Sequence, residues 1–156
     1  MVDLNVRSTV HLAGLLLPAM IERGAGRVLI TSSIGAEIPA PFQSTYHASK
    51  SFVHSFAEAL RIELQDRGVS VTSLMPGPTD TNFFERADLE DTRVGQMKKD
   101  EAHAVARAGL DALFAGKDHV VPGSFRNKVM ATLGSHLPDA ANARGQGKMN
   151  EPRSGT

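Results

Sequence analysis

Apolar positions along the chain recur at helical spacing in two long segments. Residues 4–23 carry leucines, valines and alanines at mostly helical intervals, and Gly24 follows as a stop. Residues 45–67 keep a period of about 3.6 residues up to Gly68. The pattern therefore predicts two amphipathic helices, each ended by a glycine.

Three shorter apolar runs predict strands. Residues 28–31 and 69–75 are rich in β-branched side chains, and residues 119–121 form a third, weaker run. The first run is followed by two serines, and the second ends at Pro-Gly-Pro over residues 76–78. Because strands alternate with helices, we expect a Rossmann-like parallel sheet with helices on both faces.

The remaining segments are polar or contain breakers. Residues 80–99 mix acids and bases, which predicts a lid or variable loop with short helical pieces. Asp100 is a candidate cap for a helix over residues 101–114, and another helix is predicted over residues 125–137. We assign residues 1–137 to the domain and residues 138–156 to a tail that is disordered from about residue 142, where apolar residues become few.

Composition narrows the classes of function. The 17 basic and 17 acidic residues balance, so no net field favours nucleic acid or an anionic membrane as partner. The absence of cysteine excludes thiolate catalysis, cysteine zinc sites and disulfides, and suits a cytoplasmic location. The apolar run over residues 12–21 is shorter than the ~20 residues of a membrane span. The six histidines show no metal-binding spacing, and no Gly-x-Ser-x-Gly string indicates a serine hydrolase.

Tyr46 and Lys50 stand four residues apart at the predicted start of the second helix, so their side chains share one face. A phenol titrates near pH ~10, and proton transfer near neutrality requires a pKa lower by about 3 units, or about 4 kcal/mol. A cation at ~4 Å supplies about 4 kcal/mol at an effective dielectric of ~20. The pair is a candidate general acid/base with its activating charge, although a chance pair on a surface helix has the same spacing.

Ser33 is a candidate to bind a substrate oxygen. It follows the first predicted strand, and parallel sheets place ligand sites at that end. Ser32 is its neighbouring alternative, and only one of the two can point at a substrate because adjacent residues of a strand face opposite sides.

Four motifs together resemble the short-chain dehydrogenase/reductase family. They are Thr-Ser-Ser at 31–33, Tyr-His-Ala-Ser-Lys at 46–50, Pro-Gly-Pro at 76–78 followed by Thr81, and Asp-Leu-Asn-Val at 3–6. The resemblance runs from Met1 to about residue 137 and implies an oxidoreductase that transfers hydride between an alcohol or ketone and NAD or NADP.

The resemblance also implies a role for each matching residue. Tyr46 would be the general acid/base, and Lys50 would depress the pKa of Tyr46 and bind the nicotinamide ribose. Ser33 would hold the carbonyl or alcohol oxygen, and Asn5 would keep a water behind Lys50 in a proton relay.

Four further residues would contact the cofactor. Pro76 and Gly77 resemble the turn that brings backbone close to the nicotinamide, while Thr79 and Thr81 would reach its carboxamide and the phosphates.

Whole members of this family begin with a glycine-rich strand-turn-helix segment for the pyrophosphate, which this sequence does not show. We therefore expect a catalytic half with the N-terminal half of the fold missing, and very weak cofactor binding by the isolated chain. The alternative is a catalytically inactive fragment that acts as an interaction module. In either case the family resemblance implies a homo-oligomer formed through helices 4–23 and 45–67.

Overall fold

The computed structural model describes residues 1–123 and 139–153, in which helices and short strands alternate. A π-helical segment, Asp3–Arg7, continues directly into the first α-helix, and two 3-10 turns, Ile34–Glu37 and Gln65–Arg67, flank the second. The elements are α1 (Ser8–Glu22), β1 (Gly26–Thr31), α2 (Ser44–Leu64), β2 (Val69–Leu74), α3 (Phe83–Arg86), α4 (Ala102–Phe114), β3 (His119–Val120) and α5 (Asp139–Asn150).

The three strands form one parallel sheet in the order β1-β2-β3. Gly26 to Thr31 of β1 pair in register with Val69 to Leu74 of β2, and Ser73 and Leu74 pair with the two residues of β3. The predicted parallel, Rossmann-like sheet is confirmed. Both predicted long helices are also present, and Gly24 and Gly68 end them in the left-handed conformation.

Helices cover both faces of the sheet, as the alternation of elements predicts. On one face α1 and α2 enclose the main core, in which Val53, Ala57 and Val71 are almost completely buried. On the other face α4 packs closely, since a Cβ added to Gly109 would lie 3.0 Å from Leu74 and 3.3 Å from Leu29. Neighbouring residues of β1 thus serve opposite layers.

The C-terminal segment differs from the predicted disordered tail. The structure places α5 there, and Asn150 donates a hydrogen bond to the Pro41 carbonyl (3.2 Å) while the Met149 carbonyl accepts one from the Val94 amide (3.1 Å). Alanine favours helix, and the docking relies on amide and backbone groups more than on apolar burial. A prediction of disorder that relies on the small number of apolar residues therefore misses this helix. The predicted helix 125–137 and the boundary at 137/138 lie outside the described residues.

Asp100 does not occupy the capping position that the sequence suggests. Its amide donates to Pro78 (2.8 Å) and its carbonyl accepts from Asp80 (2.9 Å), in a parallel bridge beside Thr79. This strand-like pairing moves the N-cap to Glu101, which makes no side-chain capping bond.

The N-terminal helix is more exposed than the rest of the fold. Residues 3–22 form 20 helical residues that are long and apolar enough to cross a membrane by length and composition, and little of that stretch is buried. The sequence estimate, which counts only residues 12–21, understates this helix. Soluble core helices and signal sequences meet the same criterion, so the observation is weak support for a membrane span.

The two helix-ending glycines Gly68 and Gly116 should respond differently to substitution by alanine. Both have a left-handed backbone (φ 70° and 67°), but a Cβ at Gly68 would lie 2.0 Å from the Gly24 carbonyl oxygen, whereas nothing lies within 4 Å at Gly116. The left-handed conformation alone costs about 1–2 kcal/mol, and steric overlap adds about 1–3 kcal/mol. Urea titration should therefore show a larger loss of unfolding free energy for Gly68→Ala than for Gly116→Ala, and equal losses would contradict the contact.

Candidate active site

The candidate site lies where β1 and β2 end. Backbone pairing continues past both strands, since the Ser32 amide donates to the Leu74 carbonyl (2.7 Å) and the Ile34 amide donates to the Pro76 carbonyl (3.0 Å). Ser33 therefore stands beside Pro76, at the carboxyl edge of a parallel sheet, where ligand sites of open α/β folds occur.

The two candidate serines face different partners. The Ser32 hydroxyl donates to the backbone carbonyl of Lys50 (2.8 Å), so it serves the packing of α2 on β1. The Ser33 hydroxyl accepts from the Gly35 amide (3.1 Å) and reaches toward the Pro76 carbonyl (3.5 Å), and as a side-chain hydrogen-bond partner Ser33 lowers the pKa of Tyr46. Of the two, Ser33 is the hydroxyl at the phenol.

Tyr46 lies in the first turn of α2, half-buried between two rings. Its ring meets His47 edge-on at 5.6 Å between centroids and Phe83 at 5.3 Å with a tilt of 46°. Burial raises the pKa of Tyr46 above its ordinary value, and the hydrogen bond with Ser33 acts in the opposite direction. In this environment the phenol holds its proton at neutral pH.

Lys50 shares the predicted face of α2 with Tyr46. Its ammonium lies 5.9 Å from the centroid of the Tyr46 ring and donates to the carbonyl of Thr31 (3.0 Å). Burial lowers the pKa of Lys50.

The pKa of Tyr46 bears on the role expected of Lys50. Burial raises this pKa and is the larger cause, and Ser33 is the group that lowers it, so a lowering by Lys50 stays a prediction. The i to i+4 spacing brings the two side chains onto one face, but the ammonium is bonded to Thr31 and lies beside the ring.

Asn5 reaches the same helix from the N-terminal segment. Its side-chain amide donates to the Ser49 hydroxyl (2.9 Å), which donates to the Tyr46 carbonyl (2.7 Å). Asn5 is thereby bonded to α2 through Ser49, the residue that precedes Lys50.

The four predicted cofactor contacts follow one another after β2. The Thr79 hydroxyl donates to the Gly77 carbonyl (2.9 Å), and the exposed Thr81 hydroxyl accepts from the Phe83 amide at the start of α3 (3.3 Å). Pro76 joins this turn to the Ser33 segment. The chain therefore groups these residues at the same edge as Tyr46 and Lys50.

Two residues at the phenol were not assigned a catalytic role from the sequence. Phe83 belongs to the one large apolar pair in the polar segment 80–99, and that isolation was the available signal. His47 is only 9% exposed and points into the loop after β1. Across residues 1–123 and 139–153, no group of three or more His, Asp or Glu side chains is placed to hold a metal ion.

The sequence model of the short chain dehydrogenase family matches residues 1–92. An uncharacterized oxidoreductase of Staphylococcus epidermidis is 33% identical over 113 residues, which cover 72% of this chain and 47% of that protein. Dehydrogenase/reductase SDR family member 7B of Mus musculus is 34% identical over 129 residues, or 79% of this chain and 40% of that protein. The chain thus spans about half the length, or less, of these relatives.

Solved structures give the same fold. A short-chain dehydrogenase from Sphingobium yanoikuyae in complex with NADPH superposes with a TM-score of 0.73 at 23% identity, covering 86% of this chain and 52% of the other. One from Burkholderia cenocepacia in complex with NADP gives 0.71 at 26% identity, covering 83% and 52%.

The hydrogen bond between Ser33 and the phenol predicts the titration of Tyr46. Tyr46 is the one tyrosine of the sequence, which has no tryptophan, so ultraviolet absorbance reports its ionisation alone. Ser33→Ala removes the contact that lowers the pKa, and the midpoint should move upward. Ser32→Ala is the matched control and should leave the midpoint in place, because that hydroxyl bonds the Lys50 backbone. An unchanged midpoint in Ser33→Ala would contradict the assignment.

Proposed function

The chain belongs to the short-chain dehydrogenase family, and from the geometry at its sheet edge we propose that it is the catalytic part of an NAD- or NADP-dependent oxidoreductase acting on a small alcohol or ketone. The observation that carries this proposal is the placement of Tyr46 with the Lys50 ammonium 5.9 Å from its ring centroid, at the sheet edge where Ser33 follows β1. Two hydroxyls at one point can both bond a single substrate oxygen. A cytoplasmic location belongs to the same proposal.

In the proposed reaction Tyr46 exchanges a proton with the substrate oxygen. During carbonyl reduction the phenol gives its proton to the oxygen as negative charge develops there, and during alcohol oxidation the phenolate takes it back. Ser33 donates a hydrogen bond to the same oxygen, which orients the carbonyl and stabilises the developing charge. The nicotinamide, when bound, supplies or accepts the hydride.

Lys50 and Asn5 support this proton transfer from α2. Lys50 stabilises the phenolate when its ammonium turns from the Thr31 carbonyl toward Tyr46. We propose that the same group bonds a ribose hydroxyl of the cofactor. Asn5, held by Ser49, is proposed to keep a water that connects Lys50 with solvent.

The residues after β2 fit the nicotinamide end of the cofactor. They offer backbone groups from Pro76 and Gly77 and hydroxyls from Thr79 and Thr81, a donor and acceptor set that suits a carboxamide and phosphates. Gly77 lets backbone approach a flat ring without a Cβ. The structure favours neither NAD nor NADP.

Tyr46→Phe should greatly slow the proposed turnover. The variant keeps the ring contacts with Phe83 and His47 and removes only the acid/base hydroxyl, so kcat should fall about 10²–10⁴-fold. The measurement is the change in NADH or NADPH absorbance with a panel of small ketones and aldehydes. Ser32→Ala serves as the control that keeps its activity, and full turnover by Tyr46→Phe would contradict the mechanism.

The second proposal is an interaction role, because α1 and α2 expose apolar side chains. Leu12, Leu15 and Leu16 of α1 are 55%, 63% and 54% exposed, and Ile62 of α2 is 64% exposed. Association of two copies, or of this chain with a longer relative, would bury these side chains at about 25 cal/mol per Å². Pairing with a full-length relative in the absence of turnover would favour this role over catalysis by the chain alone.

Leu16→Glu should weaken this association. A carboxylate in the centre of an apolar contact loses its hydration on pairing, so light scattering should show a lower mass at equal concentration. Leu110→Glu, on α4 and similarly exposed at 48%, is the matched control that should leave the mass unchanged. Equal behaviour of both variants would contradict the use of the α1 face.

A further inference from the structure

We infer that His47 is a positioning residue, which clamps the segment Ser33–Ile38 onto the first turn of α2 and thereby fixes the Ser33 hydroxyl relative to Tyr46. The inference rests on the proposed function, because the contact it maintains is the proposed proton-transfer pair. His47 itself touches neither substrate nor cofactor in this proposal.

The first contact joins the imidazole to the backbone of the loop. Nδ1 of His47 lies 2.8 Å from the carbonyl oxygen of Ile38, in a buried position. Because a carbonyl only accepts, Nδ1 carries the hydrogen and donates it. Burial lowers the pKa of His47, so the ring is neutral in the tautomer that this bond requires.

The second contact places the same ring against Gly35. A Cβ added to Gly35 would lie 2.7 Å from Cε1 and 3.0 Å from Nδ1 of His47, which is closer than a side chain tolerates. The backbone of Gly35 is outside the left-handed region, so the imidazole, rather than the torsion angle, requires glycine here. The imidazole of His47 therefore occupies the space that a side chain at position 35 would need.

The position of Gly35 in turn affects the Ser33 hydroxyl. Its amide donates to the Ser33 hydroxyl oxygen (3.1 Å), which directs the hydroxyl hydrogen away from Gly35. That hydrogen is left for the phenol oxygen of Tyr46 or the Pro76 carbonyl. A hydrogen bond donated to the phenol oxygen favours its charged form. The chain of contacts thus runs from His47 through Gly35 and Ser33 to Tyr46.

His47 also follows Tyr46 directly on α2, and the two rings meet edge-on. One residue therefore touches both sides of the proposed pair, the loop that carries the serine and the ring that carries the phenol. A buried histidine with only a packing role would contribute stability without affecting how strongly Ser33 acts on the phenol.

The test uses the absorbance titration of Tyr46 and requires no cofactor or turnover. His47→Ala should raise the pKa of Tyr46 in the otherwise unchanged chain but give little further shift in a Ser33→Ala background, because the effect passes through that hydroxyl. His47→Asn keeps a side-chain donor for the Ile38 carbonyl and should restore most of the original midpoint. His103→Ala is the control, since that histidine is exposed on α4, away from the segment Ser33–Ile38.

Two results would overturn the inference. One is an unchanged midpoint in a folded His47→Ala variant, and the other is an equal shift with and without Ser33. If His47→Ala does not fold, Gly35→Ala replaces it, because the added Cβ forces the ring away from the loop. Gly35→Ala should then raise the midpoint in the unchanged chain and not in Ser33→Ala, and any other pattern rejects the role. Loss of turnover bears only on the proposed function, so the two can fail separately.

Discussion

The parallel pairing of β1 with β2 is the constraint on which the site depends. In a parallel ladder both strands end at the same edge, and here two backbone bonds continue the pairing to Ile34 and Pro76. The crossover from β1 to β2 must run back along the sheet, so α2 begins over that edge. Its first turn therefore brings Tyr46 to the edge where Ser33 lies, although twelve residues stand between them in the sequence.

Much of this fold was predictable, because the information is periodic and local. The long helices and the strands show their own hydrophobic repeat, and Gly24 and Gly68 end the helices where the left-handed conformation is needed. What escaped prediction depends on partners far away in the chain. The strand-like pairing of Asp100 and the docking of α5 through Asn150 are set by backbone groups that carry no sequence pattern.

The site was predictable in its membership more than in its electrostatics. Spacing places Tyr46 and Lys50 on one face of a helix. The sequence also leaves only two serines as candidates for the hydroxyl at the end of the first strand. Choosing Ser33 over Ser32 requires the contacts with the phenol and with Lys50. Spacing also does not predict where the Lys50 ammonium points, since a lysine side chain has several rotatable bonds. His47 required the shape of the loop, because its partners are backbone groups.

The raised pKa of Tyr46 is compatible with the proposed chemistry if Lys50 acts only after the proton begins to leave. Lowering the pKa of a phenol from ~10 to neutrality takes about 4 kcal/mol. Burial increases this amount, because it raises the pKa of Tyr46. A hydrogen bond to a charged group contributes about 1.5–3 kcal/mol, so Ser33 alone falls short. A cation at ~4 Å supplies about 4 kcal/mol, whereas the Lys50 ammonium is now bonded to Thr31. A phenolate is a stronger acceptor than a carbonyl, so the ammonium exchanges partners when charge develops on Tyr46. In the proposed mechanism Lys50 then stabilises the reacting state more than the resting one, which is the difference that lowers a barrier.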